Sequence, residues 1–379
     1  KFTLSGYKVN KAFYSVSGSE REIGVTGGVY NFGGEYVLSM FPSESVTLSY
    51  LLDSNFPEKT AVTYSIGNKK VADVSENGTI VAKAEGTTVI SVTVTFDGKP
   101  TLYSGRVAVT VKDPYTTQGM YLMSYKGNGG EVVLPSDRGI EVIQSYAFSN
   151  YEYVDKGPDD IIDDEDPYMI KQMYLGDEDK EFNGQRIKKV VIPEGVTAIE
   201  AYAFAKLTEL EEVVLPSTLV KIGVGAFIEC KNLKTINLEN VKFINKEAFA
   251  GTKVNEARLD SIVAIGNYSF QGTELTNIEL PESSQSLGVG AFIDNKKLTS
   301  VVFNAPKMKI GESAFEGCSK LNNITVNASV IAKKAFYNCT SLTTITLGED
   351  VAVIGEYAFA SCESLSDTTL PDSVVSIGN

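Results

Sequence analysis

The sequence predicts a mainly β chain, an N-terminal β-sandwich followed by a stacked-repeat solenoid with short parallel strands. Nine phenylalanines carry the second half of that expectation: Phe148, Phe204, Phe227, Phe249, Phe270, Phe292, Phe315, Phe336 and Phe359. Each follows an Ala, once a Ser, and each sits five residues after an Ile or Leu. From Phe204 onward the intervals are 23, 22, 21, 22, 23, 21 and 23 residues, and a fixed period in the twenties marks a solenoid. The first 113 residues lack this period. They alternate in short runs broken by Asn77-Gly78 and Asp97-Gly98, the dipeptides of tight hairpins.

The sandwich strands are read from Val46-Thr47-Leu48-Ser49-Tyr50, Ala61-Val62-Thr63-Tyr64, Thr79-Ile80-Val81, Val89 to Val94 and Gly105 to Val111. Their period of two and their turn residues predict an antiparallel arrangement. The stretch Val71-Ala72-Asp73-Val74-Ser75, Asn77-Gly78-Thr79-Ile80-Val81-Ala82 and Glu85-Gly86-Thr87-Thr88-Val89-Ile90 resembles the bacterial immunoglobulin-like domain, group 2, over about residues 44–112. The resemblance implies a stalk or spacer module. Residues 1–43 fall outside its pattern and are assigned to extra strands on the same module, 1–113. Residues 114–130, with Pro114 and Gly119, read as a connector and the cap of the solenoid.

The solenoid is expected over 131–379. In phase, a coil reads Leu-x-x-Ile-x-Leu-Pro, then an apolar run ending in Ile-Gly, then Ala-Phe. Leu210 to Pro216, Leu233 to Leu238, Leu275 to Pro281 and Leu342 to Leu347 are copies of the first run; Ile222-Gly223, Ile265-Gly266, Ile310-Gly311 and Ile354-Gly355 end the second. Apolar residues of both runs point inward, successive coils stack about 4.8 Å apart as parallel sheets, and the Phe rings fill the interior as a spine. A single coil cannot bury its apolar face, so stability comes from stacking neighbours.

This pattern closely resembles the BspA-like leucine-rich repeat of bacterial surface proteins, over about 131–148 and 187–379. Together the two resemblances imply an Ig-like β-sandwich followed by a right-handed leucine-rich-repeat solenoid. One insertion, about 149–186, interrupts the phase. Ile377-Gly378 opens a turn whose Phe falls past Asn379, so the array is expected to continue. The opening Lys1, in place of Met, is compatible with a removed leader.

Composition narrows the chemistry. The chain has no His and no Trp, which removes Ser-His-Asp and Cys-His catalysis and every His-ligated metal site. Net charge is −14, and between Glu152 and Glu181 twelve acidic residues face three lysines. With no basic stripe, nucleic-acid binding is not expected. No apolar run approaches the ~18 residues of a membrane span. Carboxylate pairs such as Glu211-Glu212 lie on a flat repeat surface without a cleft, so no enzyme and no cofactor are expected.

Three places remain as candidates. Cys230, Cys318, Cys339 and Cys362 each lie three residues after a spine Phe, in a slot that also takes Thr252, Thr273 and Asn295. They read as a ladder of buried free thiols; a disulfide between adjacent coils is the alternative. The acidic insertion offers Asp159, Asp160, Asp163, Asp164 and Asp166, hard oxygen ligands of the kind Ca²⁺ takes, although their spacing fits no EF-hand. A solvated loop of mutually repelling charges is the plainer reading, and Tyr151 and Tyr153 add a docking alternative.

The third candidate is the outward row of the stacked strands: Glu212, Thr235, Asn237, Arg258, Glu279, Ser300, Asn323, Thr325, Thr344 and Thr346. Leucine-rich repeats commonly bind partners on this face, and the resemblance implies the same here. The residues also fit ordinary solvated strands, since Thr favours β structure and the row lacks the aromatic residues of strong hot spots. The expectation is an extracellular or surface-anchored bacterial binding protein whose partner is a protein of host or neighbouring bacteria. A glycan-binding module and a structural surface-layer element are the alternatives.

Overall fold

The structure is a computed structural model and describes residues 9–16, 19–22, 35–42, 45–52, 60–96, 99–100, 105–127, 129–148, 187–366 and 368–379. Every regular element among them is a strand. The chain divides into two compact units, Lys1–Pro114 and Tyr115–Asn379.

The first unit is a sandwich. One sheet has β1 (Val9–Val16), β2 (Ser19–Glu22), β4 (Ser45–Leu52), β6 (Ala72–Val74) and β7 (Thr79–Ala82), in the order β2-β1-β4-β7-β6. The other has β3 (Glu35–Met40), β5 (Thr60–Ile66), β8 (Gly86–Phe96) and β10 (Gly105–Val111), in the order β3-β10-β8-β5, with β9 (Lys99–Pro100) against β8. Alternation places Val46, Leu48, Ile80 and Ala82 of one sheet and Ile90, Val92, Val107, Val109 and Val111 of the other in a shared core. Asn77-Gly78 turns β6 into β7: Gly78 has φ +81°, and an added Cβ would lie 2.7 Å from the Tyr64 ring. Asp97-Gly98 lies outside the described residues.

One pairing departs from an all-antiparallel sandwich. Strand β3 runs parallel to β10, from Glu35 opposite Arg106 to Met40 opposite Val111. It covers the free edge of β10 and adds Met40 and Leu38 to the core. A parallel neighbour needs a long crossover, so no local turn signal announces it.

The second unit is a solenoid with two walls. The long wall starts with an antiparallel hairpin, β11 (Tyr115–Gln118) and β12 (Tyr121–Tyr125). Two-residue strands then stack in parallel: β14 (Val142–Ile143), β16 (Ala198–Ile199), β18 (Lys221–Ile222), β20 (Phe243–Ile244), β21 (Ala264–Ile265), β23 (Ser286–Leu287), β25 (Lys309–Ile310), β27 (Val330–Ile331), β29 (Val353–Ile354) and β30 (Ser376–Ile377). The opposite wall is split. Its first sheet is β13 (Gly130–Val133), β15 (Ile187–Val191), β17 (Glu212–Val214) and β19 (Thr235–Ile236); its second is β22 (Asn277–Leu280), β24 (Ser300–Phe303), β26 (Asn323–Val326) and β28 (Thr344–Leu347).

Between the walls the nine Phe rings stack. Consecutive centroids from Phe204 to Phe359 are 5.1 to 5.4 Å apart, the Phe204 and Phe227 planes parallel at 0°. Tyr125 extends the spine before Phe148, at 5.1 Å, and Tyr115 follows at 5.4 Å. The preceding alanines are buried, and Ser269 takes their place once by donating to the carbonyls of Asn245 and Gly266 at 2.9 and 2.7 Å.

The corner at each Phe has a backbone reason. Residues two before the Phe have φ of 54° to 62° in every coil, and residues two after it have φ of 54° to 74° in every described coil. These left-handed positions turn alternate N–H groups toward the next coil. Tyr202, Phe204 and Lys206, for example, donate to the carbonyls of Val224, Ala226 and Ile228, each at 2.8 Å. The Gly after the inward Ile answers a different need. A Cβ on Gly311 would stand 2.5 Å from the Leu287 oxygen of the previous coil.

Candidate functional site

Along the split wall, alternation buries Val213, Ile236, Ile278, Val301, Ile324 and Ile345 and turns their neighbours outward. Parallel register then aligns those neighbours in columns. Asn277 stands opposite Ser300 and Glu279 opposite Val302, while Asn323 and Thr325 stand opposite Thr344 and Thr346. The expected row is therefore assembled on one face, with Thr235, Asn237, Glu279, Asn323, Thr325, Thr344 and Thr346 exposed and Glu212 and Ser300 half-buried.

Arg258 departs from the expectation. It is exposed, yet its coil forms no strand on this wall, and Ala257 stands where Ile236 and Ile278 stand in the flanking coils. Its guanidinium pairs with Asp260 at 3.0 Å and Glu239 at 3.4 Å.

The two halves of the wall differ chemically. In the first, Lys189 lies between Glu212 at 3.3 Å and Glu131 at 4.0 Å, and the next outward column is apolar, with Val133, Val191 and Val214 in register. In the second, hydroxyls and amides dominate. Ser300 donates to Asn277 Oδ1 at 2.7 Å, Thr343 to Asn322 and Asn323 at 2.7 and 2.8 Å, and Asn304 to Glu279 at 2.9 Å. Thr325, Thr344 and Thr346 make no side-chain hydrogen bond among the described residues. Val302, 47% exposed, lies among them.

The cysteine slot is structural. All four thiols are free, and each donates to the carbonyl of the preceding coil's Phe: Cys230 to Phe204 at 3.0 Å, Cys318 to Phe292 at 3.3 Å, Cys339 to Phe315 and Cys362 to Phe336 at 3.2 Å. Asn295 does the same, reaching Phe270 at 2.7 Å. Burial pushes the Cys230 and Cys318 thiols up to about 12, and Cys339 and Cys362 upward as well. A neutral buried thiol is neither nucleophile nor metal ligand at physiological pH.

Tyr151, Tyr153, Asp159, Asp160, Asp163, Asp164 and Asp166 lie outside the described residues. Among the described residues no group of three His, Cys, Asp or Glu side chains is placed to hold a metal ion. No helix among them is long and apolar enough to cross a membrane.

The positions that sequence reasoning missed are the left-handed pairs around each Phe. Gly251, Gly272, Asp294, Gly317 and Asn338, all two residues after a Phe, carry that signal.

Stacked coils of two parallel walls around an aromatic spine define a leucine-rich-repeat solenoid, preceded here by an immunoglobulin-like sandwich. The chain belongs to the BspA type leucine rich repeat family, whose model matches six copies over residues 178–293 and 263–379. Residues 42–102 match the bacterial Ig-like domain (group 2). Among solved structures, a leucine-rich repeat protein from Bacteroides ovatus is 25% identical, over 70% of this chain and 82% of that one, with TM-score 0.46. A leucine rich cell surface protein from Faecalibacterium prausnitzii is 21% identical over 70% and 85%, with TM-score 0.35. A leucine rich repeat protein from T. pallidum is 22% identical over 65% and 83%, with TM-score 0.37. No curated protein matches the chain in sequence. Both matched families are typically non-enzymatic binding modules, and membership suggests a surface role in protein interaction.

Proposed function

We propose that the protein is a bacterial binding protein that works outside the cell or at its surface. The outward face of the split wall engages a protein ligand of the host or of neighbouring bacteria, and the Ig-like unit serves as spacer. The observation that carries this reading is the register of the face: exposed Thr and Asn side chains repeat from strand to strand, and among the described residues Thr325, Thr344 and Thr346 make no side-chain hydrogen bond. Binding then arises from many modest polar contacts spread over a long surface, as in other solenoids, instead of one deep pocket.

The test is binding of the whole chain to immobilised fibronectin, collagen and mucin, beside a variant carrying Thr325→Lys and Thr346→Lys. The expected outcome is binding to at least one of them, weakened roughly ten-fold or more by the pair of substitutions, with an unchanged melting temperature. Folded protein that binds none of them contradicts the reading.

A glycan ligand is the second reading, favoured by the hydroxyl and amide character of β22, β24, β26 and β28, where Glu279 is the one charged side chain among the outward strand positions. Its discriminating test is a glycan array, and silence there removes it.

A further inference from the structure

The buried polar side chains of the solenoid are concentrated in one place. Among the described residues they are Thr252, Ser269, Thr273, Ser284 and Asn295, all within a stretch of two coils. Four of them find hydrogen-bond partners, but the Ser284 hydroxyl has none. Elsewhere the same inward slots hold Cys, Ala, Val, Leu, Ile or Met. Apolar burial is what joins coil to coil, and this stretch replaces part of it with polar groups.

The split of the wall falls in the same stretch. Strand β19 pairs only with β17, and β22 only with β24. Between them, residues 256–258 form no backbone hydrogen bond to either flanking coil. Ala257 leaves the core three carbons short of the Ile that fills this place at Ile236 and Ile278. Across the gap runs the Arg258–Glu239 pair at 3.4 Å, exposed and therefore weak. The opposite side is continuous: β20 pairs with β21, and Phe249 stacks on Phe270 at 5.1 Å.

A wall broken on one side and intact on the other is the geometry of a hinge. We propose that the coil around Val254–Asp260 divides the solenoid into two cooperative blocks, which open and bend about the long wall. In a stack held by nearest-neighbour contacts, one weak interface separates the folding of the two sides. The two halves of the outward face thus adjust to a ligand separately, whatever that ligand is.

Native-state hydrogen exchange on the whole chain tests this directly. The bonded amides that join this coil to its neighbours, Lys253, Glu274 and Thr276, are expected to exchange at least about ten-fold faster than the bonded amides of Glu211 and Thr343, which lie nearer the ends of the stack. Uniform protection, or protection lowest only at the ends, overturns the proposal. The chain has no Trp, so Val214→Trp and Val302→Trp, at exposed sites 38% and 47% open, report the two blocks separately. Their denaturant transitions are expected to part, and superimposed transitions overturn the division. Ala257→Ile combined with Ser284→Val should slow exchange at Lys253, Glu274 and Thr276 and bring the two transitions together. Unchanged exchange in that variant contradicts the assigned cause.

Discussion

Three residues after each Phe, one small slot shows how a repeat turns chemistry into structure. A thiol there donates to the neighbouring coil's carbonyl and is held neutral by burial. Thiol-reactive probes at pH 8 should therefore leave the folded protein almost unlabelled, with the less buried Cys362 reacting first and all four reacting on unfolding. Rapid labelling of Cys230 or Cys318 in the native state would contradict this. The same burial fixes a pH dependence. A folded pKa of about 12, against an ordinary thiol value of 9.0, means that the unfolded chain loses its proton first. Stability is fully present below pH 9 and falls as pH rises toward 12. Denaturant midpoints measured from pH 8 to 11 should decline, and Cys318→Ala should flatten the decline. Ser284 gives the complementary case: its buried hydroxyl lacks a partner, so Ser284→Val should stabilise by about 1 kcal/mol, read from the shift in denaturant midpoint.

At the scale of the element, the corner decides the coil. Left-handed φ at a residue with a side chain costs roughly 1–2 kcal/mol, and the corners accept it at Ser313 and Lys334 to keep their N–H groups on the next coil. Ser313→Gly should therefore raise stability, whereas Gly311→Ala, two positions earlier, should lower it by about 1–3 kcal/mol because its Cβ meets the previous coil's backbone. Opposite signs at neighbouring positions are a sharp check by thermal denaturation. The apolar period made the inward and outward residues of these coils readable from sequence, because alternation and Phe spacing follow directly from burial. The left-handed corners were not read, since Tyr, Glu, Lys and Ser occupy them beside Gly. Nor was the parallel β3–β10 pairing, whose strands are far apart in the chain.

Over the whole molecule, the period establishes a solenoid but not what the solenoid holds. The outward columns were legible as positions; that Arg258 leaves the row was not, because its coil is no shorter than the one that forms β22 and only Ala257 sets it apart. Chemical contrast between the two halves of the wall also emerges only in register, when Lys189 meets Glu212 and Asn277 meets Ser300. In the proposed binding mode this wall, and not the long one, meets the ligand. Both walls carry exposed side chains that hydroxyl radicals modify: Val214 and Val302 on the split wall, Phe243 and Met123 on the long wall. Radical footprinting of the whole chain, free and saturated with whichever immobilised protein captures it, reads both faces in one experiment. Protection of Val302 with Phe243 and Met123 unchanged is the predicted result. Protection of Phe243 and Met123 with Val214 and Val302 still reactive would contradict it.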